Sequence, residues 1–294
     1  MSKPSKPTRM QMKVLKAVHT QAAMARVMQD RAKARQQATG HPPPSSWFED
    51  FHGHALLRQQ LENAAAAAAI PAAWVEQCRQ RGDLGIRWRA DLHWREPDSV
   101  DRELSLAELA RQVRHVQGIA GIAATYSERG ARAEVGTAQL FDRKLRVLAQ
   151  HARAIASVLD ISSHEADRLW GRHTWASVAE NVRGLEDAAL AARWRAHANA
   201  NTTNFALQAK ALGYAGLPPE TGLWAQFDPA HMVDEIRTRL SARTSQQGST
   251  PQPGTQITEA IDVAGIDADT NTPLDTDTSR APTPVQVTLP GIEP

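Results

Sequence analysis

Between residues 138 and 159 the apolar side chains Ala138, Phe141, Leu145, Leu148, Ala152, Ile155 and Leu159 recur at unbroken three- and four-residue steps. That period returns one face of an α-helix to the same side over about three heptads, so a helix from about 131 to 159 must hide a seam of coiled-coil form. A second stripe precedes it. Ser105-Leu106-Ala107-Glu108 has capping-box form, and Leu106, Leu109, Val113, Val116 and Ile119 run on toward Tyr126. The short Glu128-Arg129-Gly130 link makes these helices antiparallel neighbours, so the seam most simply closes within one chain, with dimerisation through it as the alternative. Further helices are expected over Thr174 to His197, over Asn201 to Leu212, and from Asp228-Pro229 through Met232, Ile236 and Leu240. The fold class expected is mainly α, with a helical bundle over residues 101–243.

The flanks carry opposite charge. Residues 1–40 hold nine Lys/Arg against Asp30, whereas residues 245–294 hold seven acids against Arg280, which leaves the centre of a +2 chain near neutral. Five of the seven lysines (Lys3, Lys6, Lys13, Lys16 and Lys33) fall in the first 33 residues. From Thr8 to about Gln37, Met10, Val14, Val18, Ala25, Met28 and Ala32 keep helical spacing with cations on other faces. This is the pattern of a basic amphipathic helix or arm over residues 1–40, suited to phosphates, anionic membranes or acidic partners. Docking of the same helix by its Met/Val stripe is the plainer alternative. Residues 244–294, rich in Ser, Thr, Pro, Gly and Asp, bury too little to offset ordering entropy and are expected to be disordered. The closing "VQVTLPGIEP" is a small apolar island of the kind that docks on a partner.

Residues 41–100 carry the most suggestive pattern. After Gly40-His41-Pro42-Pro43-Pro44-Ser45-Ser46, a linker by composition, come a helix over roughly 54–68 and a second one opened by Pro71 and closed near Gly82. Two helices with almost nothing between them resemble a helix-turn-helix, although Ala69 stands where glycine usually supplies a positive φ. Ile86, Trp88, Ala90, Leu92 and Trp94 then alternate with Arg87, Arg89, Asp91, His93 and Arg95, the period-two signature of a short β ribbon. A bend near Ala90-Asp91 or pairing with a second protomer would supply the missing partner strand. A second helix-turn-helix resemblance spans residues 154–172. There Asp160 occupies the turn and Ser162 with Glu165 forms a capping box, but Glu165 and Asp167 sit beside the candidate cations Arg168 and Arg172.

Catalytic and metal spacings are missing from the sequence: no GxxxxGK[ST], GxGxxG, GxSxG or HExxH run is present. His52-Gly53-His54 lacks a distant third ligand, and Asp267, Asp269 and Asn271 start a calcium loop that Thr272 and Thr278 do not continue. No cofactor is therefore expected, and no enzyme. Cys78 excludes an intramolecular disulfide, and the uncharged run Ala64 to Val75 is too short to span a bilayer, so a cytoplasmic location is expected.

The leading expectation is a DNA-binding protein, a homodimer if the ribbon pairs between protomers. Lys3, Lys6, Arg9, Lys13 and Lys16 would contact phosphates of double-stranded DNA. Gln77, Arg79, Gln80, Arg81, Arg87, Arg89 and Arg95 would supply local readout, with Arg168 and Arg172 as a secondary site. The alternative is a helical scaffold or adaptor of a larger assembly, holding protein partners through residues 138–159 or the C-terminal tail. The two readings separate on one feature: whether the arginines share a face or are taken up in ion pairs with Glu76, Asp83 and Asp91.

Overall fold

Thr8 opens the first helix by accepting the Gln11 amide while the Gln11 side chain accepts the Thr8 amide, a reciprocal cap that satisfies two otherwise orphaned N–H groups. Helix α1, Arg9–Thr39, runs from there to Gly40, whose φ of 70° closes it in the left-handed region. A computed structural model describes residues 6–130, 136–217 and 228–247, without the side chains of Arg172 and residues 243–247; Lys3 and residues 248–294 of the expected disordered tail lie outside the described residues, while residues 244–247, expected to be disordered, are the last turn of a helix. After α1 come α2 (Ser45–Ala67), α3 (Ala72–Asp83), α4 (Arg102–Glu128), α5 (Thr137–Val158), α6 (Ser163–Trp170), α7 (Arg172–Arg183), α8 (Asp187–Asn199), α9 (Thr203–Tyr214) and α10 (Pro229–Gln247). None of them is long and apolar enough to cross a membrane.

Packing runs as a relay. α2 and α3 both lie chiefly against α1, α9 joins α2 to α5, and α4 gathers α5, α7, α8 and α10 around itself. One continuous apolar core threads all of these contacts. Phe141, Leu145, Leu148, Ala152, Ile155 and Leu159 are all buried in it, so the seam closes within the chain. At one end Trp194 is sandwiched between Tyr126 and Phe141, with ring centroids 4.4 and 4.0 Å apart.

Several boundaries differ from the sequence reading. α2 starts at Ser45, absorbing the last two residues of the expected linker, because Pro44 takes the extended N-cap conformation. α4 starts at Arg102 rather than near Ser105, since the Asp101 carboxylate accepts the Leu104 amide (3.0 Å) and caps the helix earlier. The single helix expected over Thr174 to His197 is two, α7 and α8, parted at Gly184.

Two histidines, one buried and one half-buried, have pKa values lowered by burial. His151 is 4% exposed; its Nδ1 accepts from Gln112 (2.6 Å) and its Nε2 donates to Gln208 (2.8 Å), tying α4, α5 and α9 together. Burial lowers its pKa, the Gln208 bond opposing. His197 lies edge-on to Phe141, and burial, then the charges of His115 and Arg193, bring it down to about 4. The unfolded chain takes up these protons near the ordinary histidine value of about 6.5 and the folded chain does not, so stability is full above that pH and is lost as pH falls toward 4. The urea midpoint should therefore drop between pH 7.5 and 4.5, with His197 alone contributing on the order of 2–3 kcal/mol, and His197→Gln should flatten the slope.

Candidate nucleic-acid interface

The loop from 86 to 96 is not a ribbon. Among the described residues no strand is formed there; the chain bends at Ala90 and Asp91, as the alternation allowed, but the two limbs do not pair. Side chains of the neighbouring helices do the work of a ladder. His19 Nε2 donates to the Ile86 carbonyl (2.8 Å), Gln77 donates to the His93 carbonyl (2.8 Å) and accepts the Arg95 amide (3.0 Å), and the Trp74 indole donates to the Arg95 carbonyl (3.0 Å). These bonds meet the demand that part-buried backbone groups find partners without a second strand. The apolar half of the alternation supplies the anchor: Trp88 and Trp94 turn inward, Trp94 lying 5.6 Å from the fully buried Trp74 and Trp88 5.4 Å from His19. Asp98 completes the wrap by accepting the Ala73 amide (2.9 Å) at the start of α3, where Pro71 offers no side-chain cap.

The two turns expected of helix-turn-helix units are left-handed, at Ala69 (φ 52°) and Asp160 (φ 53°). Alanine tolerates this region less well than glycine, and the Ile70 amide bonded to the Ala65 carbonyl (2.9 Å) helps hold it. Around the first turn, however, the helices pack on α1 rather than on each other. The crossing with α1 is close: a Cβ added at Gly82 would stand 2.6 Å from Ala22 Cβ and press on the His19 carbonyl.

Most of the candidate readers are engaged inside the protein. Arg79 bridges Glu76 (2.6 Å) and Asp83 (2.9 Å), Arg89 pairs with Asp91 (2.7 Å), and Gln80 donates to Glu76 (2.6 Å) while accepting from Arg95 (2.7 Å). The Arg79 bonds hold the Glu76 carboxyl below its ordinary pKa, and those from Arg89 do the same for Asp91. Arg81 reaches the Arg87 carbonyl at 3.4 Å, and Arg87 is exposed. Cys78, between these residues, is buried, and burial pushes its thiol up to about 12.

The basic N-terminal segment is part of the core. Val14, Leu15, Val18 and Ala22 are fully buried, Lys13 donates to the Gly216 carbonyl beyond α9 (2.7 Å), and Lys6, Arg9 and Lys16 face solvent. At the secondary site the capping box of Ser162 and Glu165 is present, and Glu165 is bound by both arms of the Arg102 guanidinium, which brings its carboxyl down to about 2. Arg168 is exposed, and the side chain of Arg172 lies outside the described residues. Among the described residues no group of three His, Cys, Asp or Glu is placed to hold a metal, and His54 of the His-Gly-His run bonds Gln21 (2.7 Å). Neither models of known families, nor curated proteins, nor solved structures match this chain.

Gln77→Ala should remove both bonds to the loop at once, costing about 1–2 kcal/mol in urea unfolding and releasing the Arg95 amide to hydrogen exchange. Unchanged exchange at that amide would mean that Gln77 does not hold the loop.

Proposed function

We propose that the protein is a non-enzymatic helical scaffold or adaptor that holds protein partners in a larger assembly. The observation that carries this reading is the state of the expected DNA-reading residues. Gln77, Arg79, Gln80, Arg89 and Arg95 spend donors on the 86–96 loop, Glu76, Asp83, Asp91 and the Gln80 side chain. To read a base edge, each would have to give up a bond worth about as much as the one it gained.

A second reading, sequence-independent contact with double-stranded DNA, is favoured by the exposed cations Lys6, Arg9 and Lys16, which have no carboxylate partner among the described residues. Deleting residues 1–40 would strip Val14, Leu15 and Val18 from the core, so charge substitutions are the cleaner test. Fluorescence anisotropy of the full chain with random duplex DNA should give, at 200 mM salt, binding no tighter than about 10⁻⁶ M, the non-specific range. Arg87→Glu with Arg95→Glu should leave it unchanged. Tight binding that these two substitutions abolish would restore the DNA reader.

A further inference from the structure

Among the described residues, one face of α1 is largely uncovered, apart from half-buried Lys13, which bonds the Gly216 carbonyl. Arg9, Lys13, Lys16, Thr20, Met24, Val27, Arg31 and Arg35 follow one another at steps of four, three, four, four, three, four and four, which places them on a single stripe. The stripe lies opposite the buried one formed by Val14, Leu15, Val18, Ala22 and Ala25. Its centre is apolar and open to solvent, with Met24 41% and Val27 40% exposed. Beside it, Trp47 of α2 donates to the Met28 carbonyl (3.3 Å) and stacks on Phe51. Both ends of the stripe are cationic, and among the described residues Arg9, Lys16, Arg31 and Arg35 have no carboxylate partner.

We propose that this stripe is a docking surface for an amphipathic helix of a partner protein that is apolar at its centre and acidic at both ends. The proposal rests on the scaffold reading and names its contact. The stripe from Arg9 to Arg35 is about 39 Å long, the length of a helix of roughly 26 residues, and three-four spacing is what a helix laid along another helix reads. Charge layout selects the occupant. A second copy of the chain would bring the cationic ends of two stripes together in either orientation, which repels. An anionic bilayer is far wider than the stripe and would also meet the exposed carboxylates of Glu49 and Asp50 on α2, which a helix about 10 Å across can leave outside its contact, and duplex DNA would face Met24 and Val27 with nothing for its phosphates at the centre. An acidic helix satisfies both ends and covers the middle.

The test is a photo-reactive amino acid placed at Val27 of the full chain in its native cells, with matched probes at Arg87 and Phe205. The expected product at Val27 is an adduct to a peptide of another protein with three-four apolar spacing flanked by Asp and Glu. Lys16→Glu with Arg31→Glu and Arg35→Glu should cut its yield about tenfold at an unchanged urea midpoint. Adducts at Val27 to lipid, to nucleic acid or only to a second copy overturn the proposal, as does a partner peptide without the acidic ends. Protein adducts at Arg87 or Phe205 with none at Val27 overturn this surface and leave the scaffold reading standing; no protein adduct at any of the three sinks both.

Discussion

The N-terminal third of the molecule depends on burial of one stripe of α1. Val14, Leu15, Val18 and Ala22 enter the core between α2 and α3, and Gly82 lets α3 approach α1 until backbone and Ala22 nearly touch. At that distance no side chain fits between the helices, so dispersion contacts replace water along the crossing. Once α3 is fixed, Trp74, Gln77 and His19 are in place to collect the 86–96 loop. A chain region that reads as arm, reader helix and ribbon is therefore one interlocked unit.

Cations in this protein are used repeatedly to finish helices from outside. Arg26 donates to the Asp83 carbonyl at the end of α3 (2.9 Å), Lys13 to Gly216 beyond α9 (2.7 Å), Lys144 to Ala198 at the end of α8 (2.6 Å), and Arg129 to Arg183 at the end of α7 (3.1 Å). The last carbonyls of a helix lack intrahelical partners and carry the negative end of its dipole, so a donated positive charge answers both needs. A sequence rich in arginine and lysine with a near-neutral centre is what such caps require.

What could be read from the sequence was what depends on local periodicity. The α5 seam, the Ser162 capping box, the Asp228 start of α10 and the unusual φ at Ala69 and Asp160 all follow from spacing or from the chemistry of a few adjacent residues. The inward turn of Trp88 and Trp94 was legible too, since period two separates the sides of any extended chain. Legibility ended where partners are distant in sequence. Nothing near residues 86–95 announces that Gln77 and His19 will take the place of a strand, or that Asp98 will cap a helix 25 residues earlier. The α1 docking stripe was hidden for a related reason: cations read as a cluster of charge, and only the burial of the opposite face fixes which of them remain outside.

The most direct measurement is residue-resolved hydrogen exchange of the full chain near neutral pH. If α1 is a strut of the core, the amides from Val14 to Ala22 exchange as slowly as those of Val113 to Ala120 in α4, and both groups open together in the global unfolding step. Fast exchange over Val14 to Ala22, with the 86–96 loop still protected, would contradict the account, because α1 would then be a detachable arm and the loop would have to be held by something else.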